Sequence, residues 1–168
     1  MKKANVVLEV GTCFKAFDGI LDKYKIEKIK TIGDAYMAAS GINADVINEL
    51  ESAKSMVLAA LAMLQFIGSR KAAMDGAGKP AFEMRVGIHT GPVVARIVGV
   101  KKSQYDRGDT VNTASRMESS GAVKRVNISQ STYELLKDDA DFTFESRGKI
   151  EAKGKGEIEM YFVSKREF

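Results

Sequence analysis

Apolar residues recur along the chain with two different periods, and the change of period separates helices from strands. Phe14, Phe17, Leu21 and Tyr24 are spaced by three, four and three, with Asp18, Asp22 and Lys23 between them. This predicts an opening amphipathic helix, weakened in its first half by Gly11. From Ile26 to Ile42 the period drops to two: Ile26, Lys28, Lys30 and Ile32 fall on one face, Glu27, Ile29 and Thr31 on the other. Gly33-Asp34 interrupts this pattern and Ala35 to Ser40 resumes it, which predicts a β-hairpin with its tip at Gly33-Asp34. Asn43 stands where it can cap a long helix from about Ala44 to Met74. Val46, Leu50, Ala53, Val57, Ala60, Leu61, Leu64 and Ile67 form its apolar stripe.

After a loop over 75–80, Phe82 to His89 alternates as a strand, and Gly91-Pro92 turns it back into Val93 to Val98 as a second hairpin. Asp109 or Thr110 opens a helix carrying Val111, Ala114 and Met117, with Gly121 near its end. Val126 to Ile128 is a short strand, and Ser129 caps a helix through Leu136. Phe142 to Ile150 and Ile158 to Val163 make a third hairpin, joined by a loop with Gly154 and Gly156. Mixed helices and adjacent hairpins predict one α+β domain over residues 1–168: a ferredoxin-like antiparallel sheet with helices on one face.

Composition narrows the chemistry. Of 168 residues, 45% are hydrophobic and 29% charged, an ordinary globular balance with room for one core. One cysteine, Cys13, precludes an internal disulfide, and with one histidine, His89, it leaves too few ligands for a usual zinc cluster. Twenty-six basic against 22 acidic residues suit anionic ligands, but a net charge of +4 with no tryptophan argues against nucleic acid. The longest apolar run, Met56 to Leu64, is about half of the roughly 18 residues a membrane span needs, so it reads as part of a core helix. No signal-type block follows the N-terminal lysines, which gives a cytoplasmic expectation.

Four stretches carry candidate chemistry. In Glu27 to Met37, Asp34 either favours its turn or coordinates a hard cation, and Lys30 lies mid-strand. In Met84 to Pro92, Arg85 either meets a phosphate bidentately or is a surface arginine, and His89 reads as a hydrogen-bonded residue at a strand end. In Tyr105 to Met117, Asn112 and Arg116 share one helix face, either an exposed polar face or a pair able to hold a ribose and a charged phosphorus centre. In Lys153-Gly154-Lys155-Gly156, flanking glycines let the backbone approach an anion closely.

Glu27 to Ala39, Met84 to Val98, Gly108 to Glu118 and Arg147 to Phe162 together resemble, in order, the catalytic domain of the class III nucleotidyl cyclases, the adenylate and guanylate cyclases. The likeness runs from about Cys13 to Val163. It implies conversion of a nucleoside triphosphate into a 3′,5′-cyclic monophosphate and pyrophosphate, by attack of the ribose 3′-hydroxyl on the α-phosphate beside two divalent metals, Mg²⁺ or Mn²⁺. The resemblance matches Asp34 to a metal ligand, Asn112 to the ribose-orienting asparagine and Arg116 to the arginine of the transition state. It matches Arg85 and Lys153 to the holders of the β- and γ-phosphates. Lys30 stands at the purine-reading position with Asp106 as its partner, the adenylate version, so the expected substrate is ATP. It also implies a head-to-tail homodimer with sites at the interface, and an upstream sensor domain is an open expectation.

Three departures accompany the likeness. The family's opening strand, Phe-x-Asp-Ile-x-Gly-Phe-Thr, has no counterpart, so the expectation is an N-terminally incomplete domain lacking the first metal-binding aspartate. Arg96 replaces a usual glycine. One residue, Arg107, stands between Asp106 and Gly108 where two are usual, which reverses side-chain direction in an extended segment and weakens Asp106 as a purine reader. A cyclase-like module that binds nucleotide without catalysis is the alternative reading.

Overall fold

A computed structural model describes residues 3–42, 48–79, 81–92, 95–98, 102–105 and 109–167. The chain divides into two compact units, 1–84 and 85–168, each with its own packing.

The first unit holds α1 (Lys3–Tyr24), β1 (Glu27–Ile32), β2 (Ala35–Ala39) and α2 (Glu49–Gly76). Helix α1 runs through Gly11 without a break. Its buried stripe is Glu9, Cys13, Phe17 and Leu21, a strict four-residue repeat that packs against Ala59, Met63 and Ile67 of α2. Tilted and edge-on ring contacts among Phe14, Phe17, Tyr36 and Phe66 fill the space between helices and hairpin. The helix ends at Lys25, whose φ of 56° is left-handed, and the Ile26 amide donates back to the Leu21 carbonyl at 3.0 Å.

The expected hairpin forms, and Gly33 with φ 58° makes its tip. Strict alternation along β1 does not hold: the register shifts between Lys28 and Lys30, and Ile32 is exposed while Ile26 is buried. Helix α2 begins later than its pattern suggests. Asn48 is its cap, its side chain accepting from the Glu51 amide at 3.1 Å, whereas Asn43 lies outside the described residues. Leu50, expected in the stripe, is 48% exposed because it sits in the first turn, ahead of the buried Ala53. By length and composition α2 is apolar enough to cross a membrane, yet Ala53, Val57, Ala59, Ala60, Met63 and Ile67 are buried.

The second unit holds β3 (Val86–Ile88), β4 (Ala95–Val98), β5 (Lys102–Tyr105), α3 (Asp109–Ser119), β6 (Val126–Ser129), α4 (Gln130–Leu136), β7 (Phe142–Ala152) and β8 (Gly156–Lys165). One sheet has the order β3-β6-β8-β7, and β4 pairs β5 separately. The α+β class holds, with two differences from the expected hairpins. Strand β3 shrinks to three residues and pairs in parallel with β6, and β4 turns into β5 rather than back onto β3. Local alternation marks a strand but says nothing of a partner some 40 residues away. The last hairpin forms over a longer span than expected, with a register shift between Ser146 and Gly148.

Every residue of β6 is buried. Of its two polar members, Asn127 is satisfied by α3 and β7: Nδ2 donates to the Met117 carbonyl at 2.9 Å, and Oδ1 accepts from Arg147 at 3.1 Å. Helix α3 packs on β3 and β6, and α4 on β6 and β8. The approach of α3 to β3 depends on Gly87. A Cβ there would collide with the Met117 carbonyl carbon and the Glu118 amide nitrogen, both backbone atoms that cannot swing aside.

Candidate active site

In the first unit the hairpin carries Lys30 and Asp34. Lys30 stands opposite Met37, half-buried, with no hydrogen bond or ion pair to another described residue. Its neighbour Lys28 is occupied: its ammonium lies 3.3 Å from Asp18 and over the Tyr36 ring. The Tyr36 hydroxyl donates to the same Asp18 oxygen at 2.6 Å. Burial, then that carboxylate, pushes the Tyr36 hydroxyl well above its ordinary value, so it stays a donor. This cluster fastens the hairpin to α1 and leaves Lys30 uncommitted among the described residues.

Asp34 is exposed at the tip. With Glu83 it lines a cavity of about 90 Å³ floored by Cys13, Phe14, Phe17 and Ile67. That volume is far below the roughly 300 Å³ of a small-molecule pocket, so the cavity is a packing gap beside the carboxylates. Burial pushes the Cys13 thiol up, which makes it an inert hydrophobe.

In the second unit α3 presents Asn112, exposed, and Arg116, half-buried, four residues apart on one face. Neither side chain has a partner among the described residues. Arg85 does: its guanidinium pairs with Glu118 at 3.0–3.1 Å. A sequence reading that treats Arg85 as free misses this, because Glu118 lies 33 positions away on α3. Lys153 is exposed at the β7–β8 tip. Asp106 lies outside the described residues, as does the side chain of Arg96.

Two further contacts join residues that carry no mutual signal in the sequence. Lys155 forms an ion pair with Asp109, the first residue of α3. The hydroxyls of Ser129 and Ser131 converge on His89 Nδ1 at 2.7 and 3.2 Å, while Thr90 and Thr132 share a 2.8 Å hydrogen bond beside them. Burial, then the Lys155 charge, pulls the imidazole below its ordinary value, so His89 is neutral at pH 7. His89 is thus the strand-end hydrogen-bonder its position suggests. Ser129 spends its hydroxyl here and makes no side-chain cap on α4.

The family model for the adenylate and guanylate cyclase catalytic domain matches residues 2–165. The chain belongs to this family. It is 38% identical over 159 residues to the receptor-type guanylate cyclase gcy-28 of Caenorhabditis elegans, covering 94% of the chain and 12% of that protein. The cyclase fold matches the guanylate cyclase domain of RhGC from Catenaria anguillulae in complex with GTP, with TM-score 0.83, 30% identity and coverage of 99% and 87% of the two chains. It also matches the catalytic core of a rhodopsin-guanylyl cyclase with converted specificity in complex with ATPαS, with TM-score 0.82, 32% identity and coverage of 99% and 86%. The chain spans only 12% to 25% of the length of the curated cyclase relatives it matches.

Among the described residues no group of three or more histidine, cysteine or acidic side chains gathers as a metal cluster. Asp34 would offer a metal ion a single carboxylate. That fits a Mg²⁺ or Mn²⁺ ion held mainly by water and phosphate oxygens, and does not fit two ions held by the protein alone.

Proposed function

We propose that this cyclase domain is an adenylate cyclase, converting ATP into 3′,5′-cyclic AMP and pyrophosphate, and that its two units act as one catalytic domain. The observation that carries the choice of base is Lys30. Its ammonium has no partner among the described residues, while Lys28 beside it is neutralised by Asp18. An ammonium at a purine edge donates to adenine N1, an acceptor. Guanine presents an N–H at the same place, and donor against donor is repulsive. The similar proteins named above are called guanylate cyclases. The proposal for ATP therefore rests on Lys30 and not on those names.

The remaining roles are those that the resemblance to the cyclases implies. Asn112 orients the ribose, and Arg116, one turn along α3, faces the phosphorus centre as negative charge builds. Lys153 and Arg85 hold the outer phosphates. Arg85 must leave Glu118 to do so, which costs little, because both side chains are nearly half exposed, at 44% and 45%. Asp34 would hold Mg²⁺ or Mn²⁺, which supplies charge neutralisation at the triphosphate. Asp106 as acceptor for the adenine amine belongs to the same reading. So do a homodimer with sites at its interface, a cytoplasmic setting and an upstream sensor domain.

The test is product formation by the purified chain from ATP and from GTP, with Mg²⁺ and with Mn²⁺. Cyclic AMP is the expected product. Lys30→Glu should shift the ATP:GTP ratio of kcat/KM by at least about tenfold toward GTP. Cyclic GMP from the parent chain, unaffected by Lys30→Glu, would overturn the choice of base. ATP binding without turnover would instead favour a nucleotide-binding module that has no catalytic role.

A further inference from the structure

We propose that Lys155 is a positioning residue: its ion pair with Asp109 fastens the glycine-flanked hairpin tip to the first turn of α3 and so sets Lys153 against the helix bearing Asn112 and Arg116. This rests on the reading that Lys153 holds a phosphate.

The hairpin meets α3 at two places. Ala152, the last residue of β7, is buried with Met117 and Met160 in one apolar cluster. Three residues on, Lys155 reaches Asp109. Asp109 and Met117 are eight residues apart, about 12 Å along a helix at 1.5 Å per residue. The helix is therefore held near both ends by one hairpin, with Asn112 and Arg116 between the two attachments.

The tip itself is a defined turn. Gly154 and Gly156 have φ of 79° and 74°, left-handed values that favour glycine, and the Lys155 amide donates to the Ala152 carbonyl at 2.9 Å. The turn sends its two lysines to different places. Lys153 is exposed, whereas the Lys155 side chain is only 22% exposed. A solvated surface pair would leave both partners in water, and here only Asp109 is, at 81%. Asp109 has a second reason to stay where it is, since a carboxylate in the first turn of a helix is favoured by the helix dipole. The fixed partner is thus the helix, and the part that gains order from the pair is the tip.

The experiment uses the full chain with Lys155→Met, Lys155→Arg, Asp109→Asn and the reversed pair Asp109→Lys with Lys155→Asp. Two quantities are read: amide hydrogen exchange at 153–156, with β6 amides as the folding control, and the dissociation constant for ATP with Mn²⁺. Lys155→Met and Asp109→Asn should each speed exchange at the tip about tenfold and weaken ATP about fivefold, with β6 unchanged. Lys155→Arg should retain both, and the reversed pair should recover part of each. Unchanged exchange overturns the fastening, and changed exchange with unchanged ATP affinity overturns its role in holding substrate. Neither readout needs turnover, so a chain that binds ATP without cyclising it sinks the adenylate cyclase reading and leaves this one decided on its own data.

Discussion

Lys30 and Asp34 ride on a two-stranded hairpin, whereas Asn112 and Arg116 ride on a helix whose backbone lies against β3 at Gly87. The two supports differ in kind. A two-stranded hairpin is marginal by itself and borrows its order from side chains, here the Phe14, Phe17 and Tyr36 rings and the Asp18 cluster. Side chains can repack, so this support tolerates adjustment. Helix α3 is positioned by main-chain atoms meeting where a glycine leaves room, and main chain does not repack. On the proposed roles, the residue that reads the base is thus carried on an adjustable element, and those that meet the reacting centre are carried on a fixed one.

The sharpest way to break this contrast is Gly87→Ala. The added carbon has nowhere to go, so we expect a loss of about 3 kcal/mol or more in denaturant unfolding followed by a probe in the second unit. An unchanged midpoint would mean that α3 shifts freely. A smaller effect is expected from Glu9→Gln in the first unit. Glu9 is buried in α1 and paired through two oxygens with Arg70, a bond that draws its carboxyl below the ordinary range. Neutralising it leaves the guanidinium unpaired, at a cost of about 2 kcal/mol to the α1–α2 packing. The wild-type pair should also weaken in acid, since a lowered carboxyl contributes stability at neutral pH that is lost as pH falls.

The smallest effect concerns His89. Its imidazole is held below its ordinary value of 6.5, so the unfolded chain binds the proton first. Stability of the second unit should therefore decline as pH is lowered from neutral through 6.5, then level off once the folded state is protonated too. Groups facing the ring are the Ser129 and Ser131 hydroxyls and the Lys155 ammonium. In His89→Gln, hydrogen exchange in β6 should lose this pH step; a step that persists would assign it elsewhere.

What could be read from the sequence was what is local. The Gly33-Asp34 hairpin, the final hairpin, the Ser129 start of α4 and the span of α3 all follow from neighbours within a few positions. The three adjacent hairpins did not all survive, because pairing β3 with β6 is a choice among distant strands that alternation does not encode. Gly87 looked like any glycine in a strand, and its need arises only when α3 arrives. Of the candidate site, only the placement on elements was legible: Lys30, Asp34, Arg85, Asn112, Arg116 and Lys153 all stand on the elements expected or beside them. Their partners were not. Glu118 on Arg85 and Asp109 on Lys155 are pairings made by tertiary structure between residues that carry no mutual signal in the chain.

Strand β6 sits between β3 and β8, so its second neighbour is supplied by Gly156–Lys165, a segment synthesised after it. A nascent chain can close its α1–α2 layer early. Its central strand waits with one edge bare until Gly156–Lys165 has left the ribosome. A pause or a stop codon in that interval would leave an apolar edge unpaired, and aggregation or degradation would follow.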